Sequence, residues 1–195
     1  MLAAFRTFSS NHPSHPPTLS VTWEPFFLNR DTKPEGEDMM EHLTKKYGPS
    51  AVEKYGKPGN PLDVAGSKVG ITFNPARRVI QTLNCHRVME AIEGDKVKSD
   101  EFMDKMFEAY FTNARDLSKL DVLLDVIEEA GLDKAAFRTL LESGEHTESV
   151  MAKDEKFKKG GVSGVPFFIL GGYKFSGAQP PETFEEVFEE MYNRL

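Results

Sequence analysis

A strand–turn–strand–helix signal closes this chain and constrains its fold more than any other feature. Val165-Pro-Phe-Phe-Ile-Leu170 is a short continuous apolar run, the pattern of a buried strand. Gly171-Gly172 follows, and because both residues tolerate positive φ the run should turn back as a two-residue hairpin. Tyr173 to Ser176 returns as the partner strand. Pro180-Pro181 then opens a final helix, since proline in the first turn forfeits no hydrogen bond. Phe184, Val187, Phe188, Met191 and Tyr192 recur at helical spacing and give that helix one apolar face. Gly160-Gly161-Val162-Ser163-Gly164 supplies a flexible approach to the first strand.

Upstream the texture is helical. Phe102, Met103, Met106, Phe107, Tyr110 and Phe111 read as one apolar stripe. Ser118 with Asp121 has the spacing of a capping box, Leu120, Leu123, Leu124 and Ile127 form the buried face behind it, and Gly131 is placed for a left-handed stop. Further helices are expected from Asp133 to Gly144 and from Glu148 to Lys159. Residues 34–70 carry short helical pieces broken by Gly48-Pro49 and by the stretch from Lys57 to Pro61, and could line a cleft or run over the surface. Leu19 to Leu28 reads as a strand with Val21, Trp23 and Phe27, set at a sheet edge or bent by Pro25. Leu2, Phe5 and Phe8 read as the end of an amphipathic helix, broken between Asn11 and Pro17. The alternative, a mitochondrial transit segment, has a single arginine, Arg6, behind it.

Composition closes off several functions. The chain has 195 residues, enough for one well-buried domain with a sizeable insertion. Its net charge of −7 argues against a broad electrostatic grip on nucleic acid or an anionic membrane. Lys153, Lys156, Lys158 and Lys159 are interleaved with Asp154 and Glu155 and read as a solvated helix face rather than a phosphate patch. No apolar run reaches the roughly 18 residues needed to span a bilayer. A single cysteine, Cys85, rules out a disulfide framework within these residues and a cysteine-rich metal site. The histidines show no ligand spacing, so no metal is expected. Cys85 shares a helix face with Met89 and Ile92 and reads as a buried structural thiol.

Four blocks carry a family resemblance, in order along the chain. Gly161-Val-Ser-Gly-Val-Pro-Phe-Phe-Ile, with Tyr173 and Ser176-Gly-Ala-Gln-Pro180, resembles the closing ββα unit of DsbA-like thioredoxin domains, the FrnE-like subgroup in particular. Thr82-Leu-Asn-Cys-His86-Arg87 is similar to the family's Asn-Thr-x-x-Ala-His-Arg segment, with Gln81 in place of the asparagine and Cys85 in place of the alanine. Phe107-Glu-Ala-Tyr-Phe111, and Val21-Thr-Trp-Glu-Pro-Phe-Phe-Leu-Asn29, match as well. The resemblance implies an α/β, thioredoxin-like fold of the DsbA type with a large helical insertion. It assigns 1–195 to a single domain, 19–33 and 160–195 to the thioredoxin core and 34–159 to the insertion. It also implies a cis bond at Val165-Pro166 beside the redox motif.

The family opens with a strand and a Cys-x-x-Cys or Cys/Ser turn at a helix N-terminus, and these residues contain neither; Met1 to Arg6 resembles the end of that helix. The family activity is thiol–disulfide oxidoreduction, in which a thiolate attacks a disulfide and a second cysteine resolves the mixed disulfide. The expectation is therefore a family member that is redox-inactive as written, with no catalytic residue of its own. Gly164, Val165 and Pro166 are expected to bind a thiol- or disulfide-bearing peptide or protein. His86 and Arg87 form a secondary candidate site, although both residue types at such positions more often serve packing. A glutathione-dependent isomerase or transferase of the kappa type is the alternative enzyme, with glutathione held at the same loop. A non-catalytic thioredoxin-like peptide-binding module is the third reading. Otherwise no cofactor is expected. Unpaired sheet edges would permit self-association. The compartment expected by default is the cytoplasm, with the mitochondrion left open.

Overall fold

The computed structural model describes residues 1–57 and 59–194. These divide into two compact units, one made of Met1–Leu28 and Lys153–Leu195, the other of Asn29–Ala152.

In the first unit, helix α1 (Leu2–Asn11) packs on helix α10 (Pro181–Tyr192). Ala4 and Phe8 on one side and Phe184 and Phe188 on the other form the core, with the Phe5 ring edge-on to Phe188 at 5.4 Å. The helix at the N-terminus and its break after Asn11 are as its apolar spacing requires. Strands β3 (Phe167–Leu170) and β4 (Tyr173–Ser176) pair antiparallel, Phe168 opposite Phe175 and Leu170 opposite Tyr173. The two-residue turn has both glycines at positive φ, 55° and 92°. Phe168 stacks on Phe175 at 5.4 Å, and both rings meet the edge of Phe184, which seats the hairpin on α10.

Two expectations about strands are corrected here. The run from Val165 to Leu170 is not buried on both faces: Ile169 is 54% exposed while Phe168 and Leu170 pack inward. A two-stranded sheet covered on one face by a helix obeys the period-two rule, whatever the hydrophobicity of the outward residue. Leu19–Leu28 forms no strand either. It lacks a ladder partner among the described residues, and side chains of helix α9 (Thr147–Lys159) hold it instead.

In the second unit, two short strands, β1 (Glu37–Asp38) and β2 (Arg78–Val79), pair antiparallel. Asp38 caps helix α2 (Met39–Tyr47) through the Met40 and Glu41 N–H groups. Helices α3 (Pro49–Tyr55) and α4 (Pro61–Ser67) follow, and residues of all three line a cleft of about 570 Å³. The core lies farther along, where α5 (Leu83–Ala91), α6 (Lys96–Phe107), α7 (Leu120–Glu129) and α8 (Lys134–Ser143) bury Val88, Phe102, Leu123, Leu124 and Ile127. Asp133 caps α8, Gly131 adopts the left-handed conformation anticipated for a helix stop, and Gly144, where the next helix was expected to end, adopts it too.

Ser118 does not cap α7. Its hydroxyl donates to Asp116 at 2.5 Å, and Lys119 occupies the cap position without a side-chain bond; the nearer carboxylate outcompetes the reciprocal box. The aromatic stripe also needs a device that periodicity cannot show. At about 100° per residue, Phe111 would fall nine residues, and thus half a turn out of phase, from Phe102. A π-helical turn over Glu108–Thr112 reduces that offset by about one residue's rotation. Phe111 is half-buried, with its ring edge-on to Phe73 at 5.7 Å, while Phe107 stays 40% exposed. No helix among the described residues is long and apolar enough to cross a membrane.

Candidate functional site

The loop before β3 is built by a helix stop and a closed hairpin. At the end of α9, Gly161 (φ 91°) and Val162 return their N–H groups to Lys158 O and Phe157 O, at 3.1 and 3.0 Å. This pairing ends the helix in a left-handed cap and buries Val162. The chain then crosses Ser163 and Gly164 to a cis Val165-Pro166 bond. At the other end, the Gly177 N–H donates to Pro166 O at 2.8 Å, extending the hairpin ladder one step beyond Phe167–Ser176.

Val165 is therefore the first residue outside the ladder. Its side chain is half exposed, and neither its N–H nor its C=O bonds to another described residue. Backbone donors and acceptors left open at a strand end are the features an extended chain pairs with when it adds to a sheet edge. Gly164, beside it, has open space where a Cβ would stand. Gly164, Val165 and Pro166 thus lie just ahead of the hairpin, with Val165 and Pro166 exposed.

The secondary candidates have a different setting. Arg87 is 4% exposed on α5 and its guanidinium is committed to the end of α8: Nη2 donates to Leu140 O at 2.6 Å, Nη1 to Leu141 O and Asn84 Oδ1, and Nε to Glu145 O. It satisfies carbonyls that the last turn of a helix leaves open, and its cation faces the negative helix end. His86 is half-buried next to it. Cys85 is buried, and loss of hydration pushes its thiol up to about 12. At neutral pH it is a protonated thiol inside the core rather than a nucleophile. Among the described residues, no group of three His, Cys, Asp or Glu is placed to hold a metal ion.

Sequence reasoning missed the residues that fix the chain on the far side of α9. Asp154 is fully buried, not part of a solvated face. One carboxylate oxygen accepts the Phe27 N–H at 2.9 Å, and the other accepts from Lys158 at 3.0 Å. Lys158 also donates to Phe27 O at 2.7 Å and sits 4.9 Å over the Phe26 ring. The alternation of charges in this run hid the inward pair; its only signal was the i, i+4 spacing of an acid and a lysine, which surface pairs share.

The described residues are mostly helical, with two separate two-stranded sheets, and the exposed cis-proline loop ahead of the closing hairpin and helix is the arrangement the resemblance to thioredoxin-type domains implied. The chain belongs to the DSBA-like thioredoxin domain family, whose model matches residues 3–189. It is similar to the uncharacterized protein YwbO of Bacillus subtilis, 28% identical over 179 residues, covering 88% of this chain and 82% of that protein. Among solved structures it resembles a probable DsbA oxidoreductase from Streptomyces coelicolor, with a TM-score of 0.81 and 22% identity, over 99% of this chain and 83% of the other. At that identity the likeness establishes the fold.

Proposed function

We propose that the Gly164–Pro166 loop is a main-chain docking site for an extended, thiol- or disulfide-bearing segment of a protein or peptide, within an oxidoreductase scaffold. These 195 residues by themselves perform no thiol–disulfide exchange. The observation that carries the docking half is the Val165 backbone, exposed and outside the hairpin ladder. The chemical half rests on the lone thiol. Exchange requires an accessible thiolate and a second sulfur to resolve the mixed disulfide, and Cys85 is a single, buried, protonated thiol.

Insulin reduction and dithiol oxidation, assayed on the 195-residue chain, are expected to show no turnover above buffer. Turnover that survives Cys85→Ser would overturn the chemical half. For the docking half, a photoreactive cysteine-containing peptide should crosslink to residues 163–167, and Val165→Pro, which removes the donor N–H, should abolish it, whereas Val165→Ala, which keeps the N–H, should not. Crosslinks that map elsewhere, or that persist undiminished in the proline variant, would refute it.

A further inference from the structure

The cleft in the second unit is a feature the docking loop does not explain. It measures about 570 Å³, within the usual range for small-molecule pockets. Met39, Met40, Leu43, Leu62 and Phe73 are among its apolar lining, and methionine side chains adapt to irregular apolar shapes. Two cations, Arg77 and Lys54, also line it.

Arg77 differs from the exposed Arg6 in being half-buried without a carboxylate. Arg78, Arg115, Arg138 and Arg194 each pair with a carboxylate, and Arg87 caps a helix. Arg77 is half-buried, lies about 6 Å over both Phe73 and Phe111, and donates to Asn74 O at 3.0 Å. No carboxylate among the described residues pairs with it or with Lys54, which rests against the Tyr55 ring. Asp63, the acid on this wall, spends Oδ2 on the Gly59 N–H and the Asn60 amide. A guanidinium that is partly withdrawn from water, beside two rings and without a carboxylate, suits an anion, because its planar fork bonds a carboxylate with two donors at once.

We propose that this cleft binds a small amphiphilic monocarboxylate, its apolar body among Met39, Met40 and Leu43 and its carboxylate on Arg77 with support from Lys54. The proposal stands apart from the docking reading, since it uses neither the Val165 loop nor any thiol.

The test titrates the full chain with decanoate, decanol and decyltrimethylammonium by calorimetry, and follows methionine methyl signals by NMR. Decanoate should saturate and shift the Met39 and Met40 methyls. Decanol should bind about tenfold more weakly, the loss expected when a charge-assisted hydrogen bond goes missing, and the cationic amphiphile should not compete. Arg77→Gln should bring decanoate down to the level of decanol. If that variant fails to fold, Lys54→Gln on the exposed face of α3 should still cost decanoate affinity and leave decanol unchanged. Equal affinity for decanoate and decanol in the unaltered chain would overturn the proposal. So would shifts confined to Met103, Met106, Met151 or Met191, or no binding at millimolar concentration.

Discussion

Asp154 and Phe27, 127 positions apart in the sequence, are joined by a buried hydrogen bond of 2.9 Å. Lys158, one helical turn beyond Asp154, takes the carbonyl of the same residue. Both backbone groups of Phe27 are thus held by side chains of α9, doing for one residue what a neighbouring strand does for many.

Removing one member of this arrangement should be costly. Asp154→Ala leaves the Phe27 N–H without this acceptor and Lys158 without its counter-charge; because the ammonium left behind is one-third exposed and still holds the Phe27 carbonyl, the cost should be about 1–3 kcal/mol, that of an unsatisfied buried amide. Asp154→Asn keeps an acceptor for the amide and should cost clearly less. Urea unfolding of both variants, with hydrogen exchange at the Phe27 amide, checks the order; equal destabilisation would mean the hydrogen bond contributes nothing separate from charge.

Arg87 is expected to behave as a structural residue. Arg87→Met should destabilise the chain by roughly 2–4 kcal/mol by orphaning buried carbonyls at the end of α8, and should leave peptide crosslinking at Val165 intact under conditions where the variant is folded. Arg87→Lys should restore only part of the loss, since one ammonium cannot reproduce the forked set of donors. Denaturant midpoints and the crosslinking yield read the two effects separately.

Cys85 should resist modification until the fold opens. Burial raises its thiol from an ordinary 9.0 to about 12, so the folded state holds a proton that the unfolded state gives up first. Stability from this group is therefore complete below pH 9.0 and declines as pH rises toward about 12. A disulfide reagent at mildly alkaline pH should label Cys85 slowly in the native chain and rapidly in guanidinium. Fast labelling of the native chain would contradict the burial.

The hairpin turn offers a fourth check. A Cβ at Gly171 would stand 2.5 Å from the Met191 Cε, and its φ is +55°. Because the clash falls on the end of a flexible side chain, backbone conformation should dominate, and Gly171→Ala should cost about 1–2 kcal/mol. Gly171→Asn, better tolerated at positive φ, should cost less than its bulk suggests. Thermal unfolding of the pair decides the order.

Local signals made much of this architecture legible. The paired glycines at 171 and 172, the prolines at 180 and 181, and the caps at Asp133 and Gly144 state their backbone geometry in their own chemistry, and the hairpin and helices around them follow. Cys85 could be placed through its apolar neighbours at helical spacing. Long-range relationships were not legible. Nothing in Glu24-Pro-Phe-Phe27 says that its partner is a carboxylate on α9, and Leu19–Leu28 carries β-favouring residues whether or not a ladder exists to receive them. The Val165 loop could be picked out from sequence, whereas the open state of its backbone groups depends on where the Gly177 bond falls.

The π-helical turn at Glu108–Thr112 has a consequence for direction rather than composition. Such a turn holds one residue more than the α-helical winding it replaces, so rewinding these five residues as ordinary α-helix, with none removed, would swing the positions after them by about 100°. Phe111 would leave the Phe73 ring and no longer lie beneath Arg77. Point substitutions in these five positions change one contact each; a change of winding would rotate the platform on which the guanidinium rests, so the wall of the cleft depends on how the backbone coils as much as on which residues it carries.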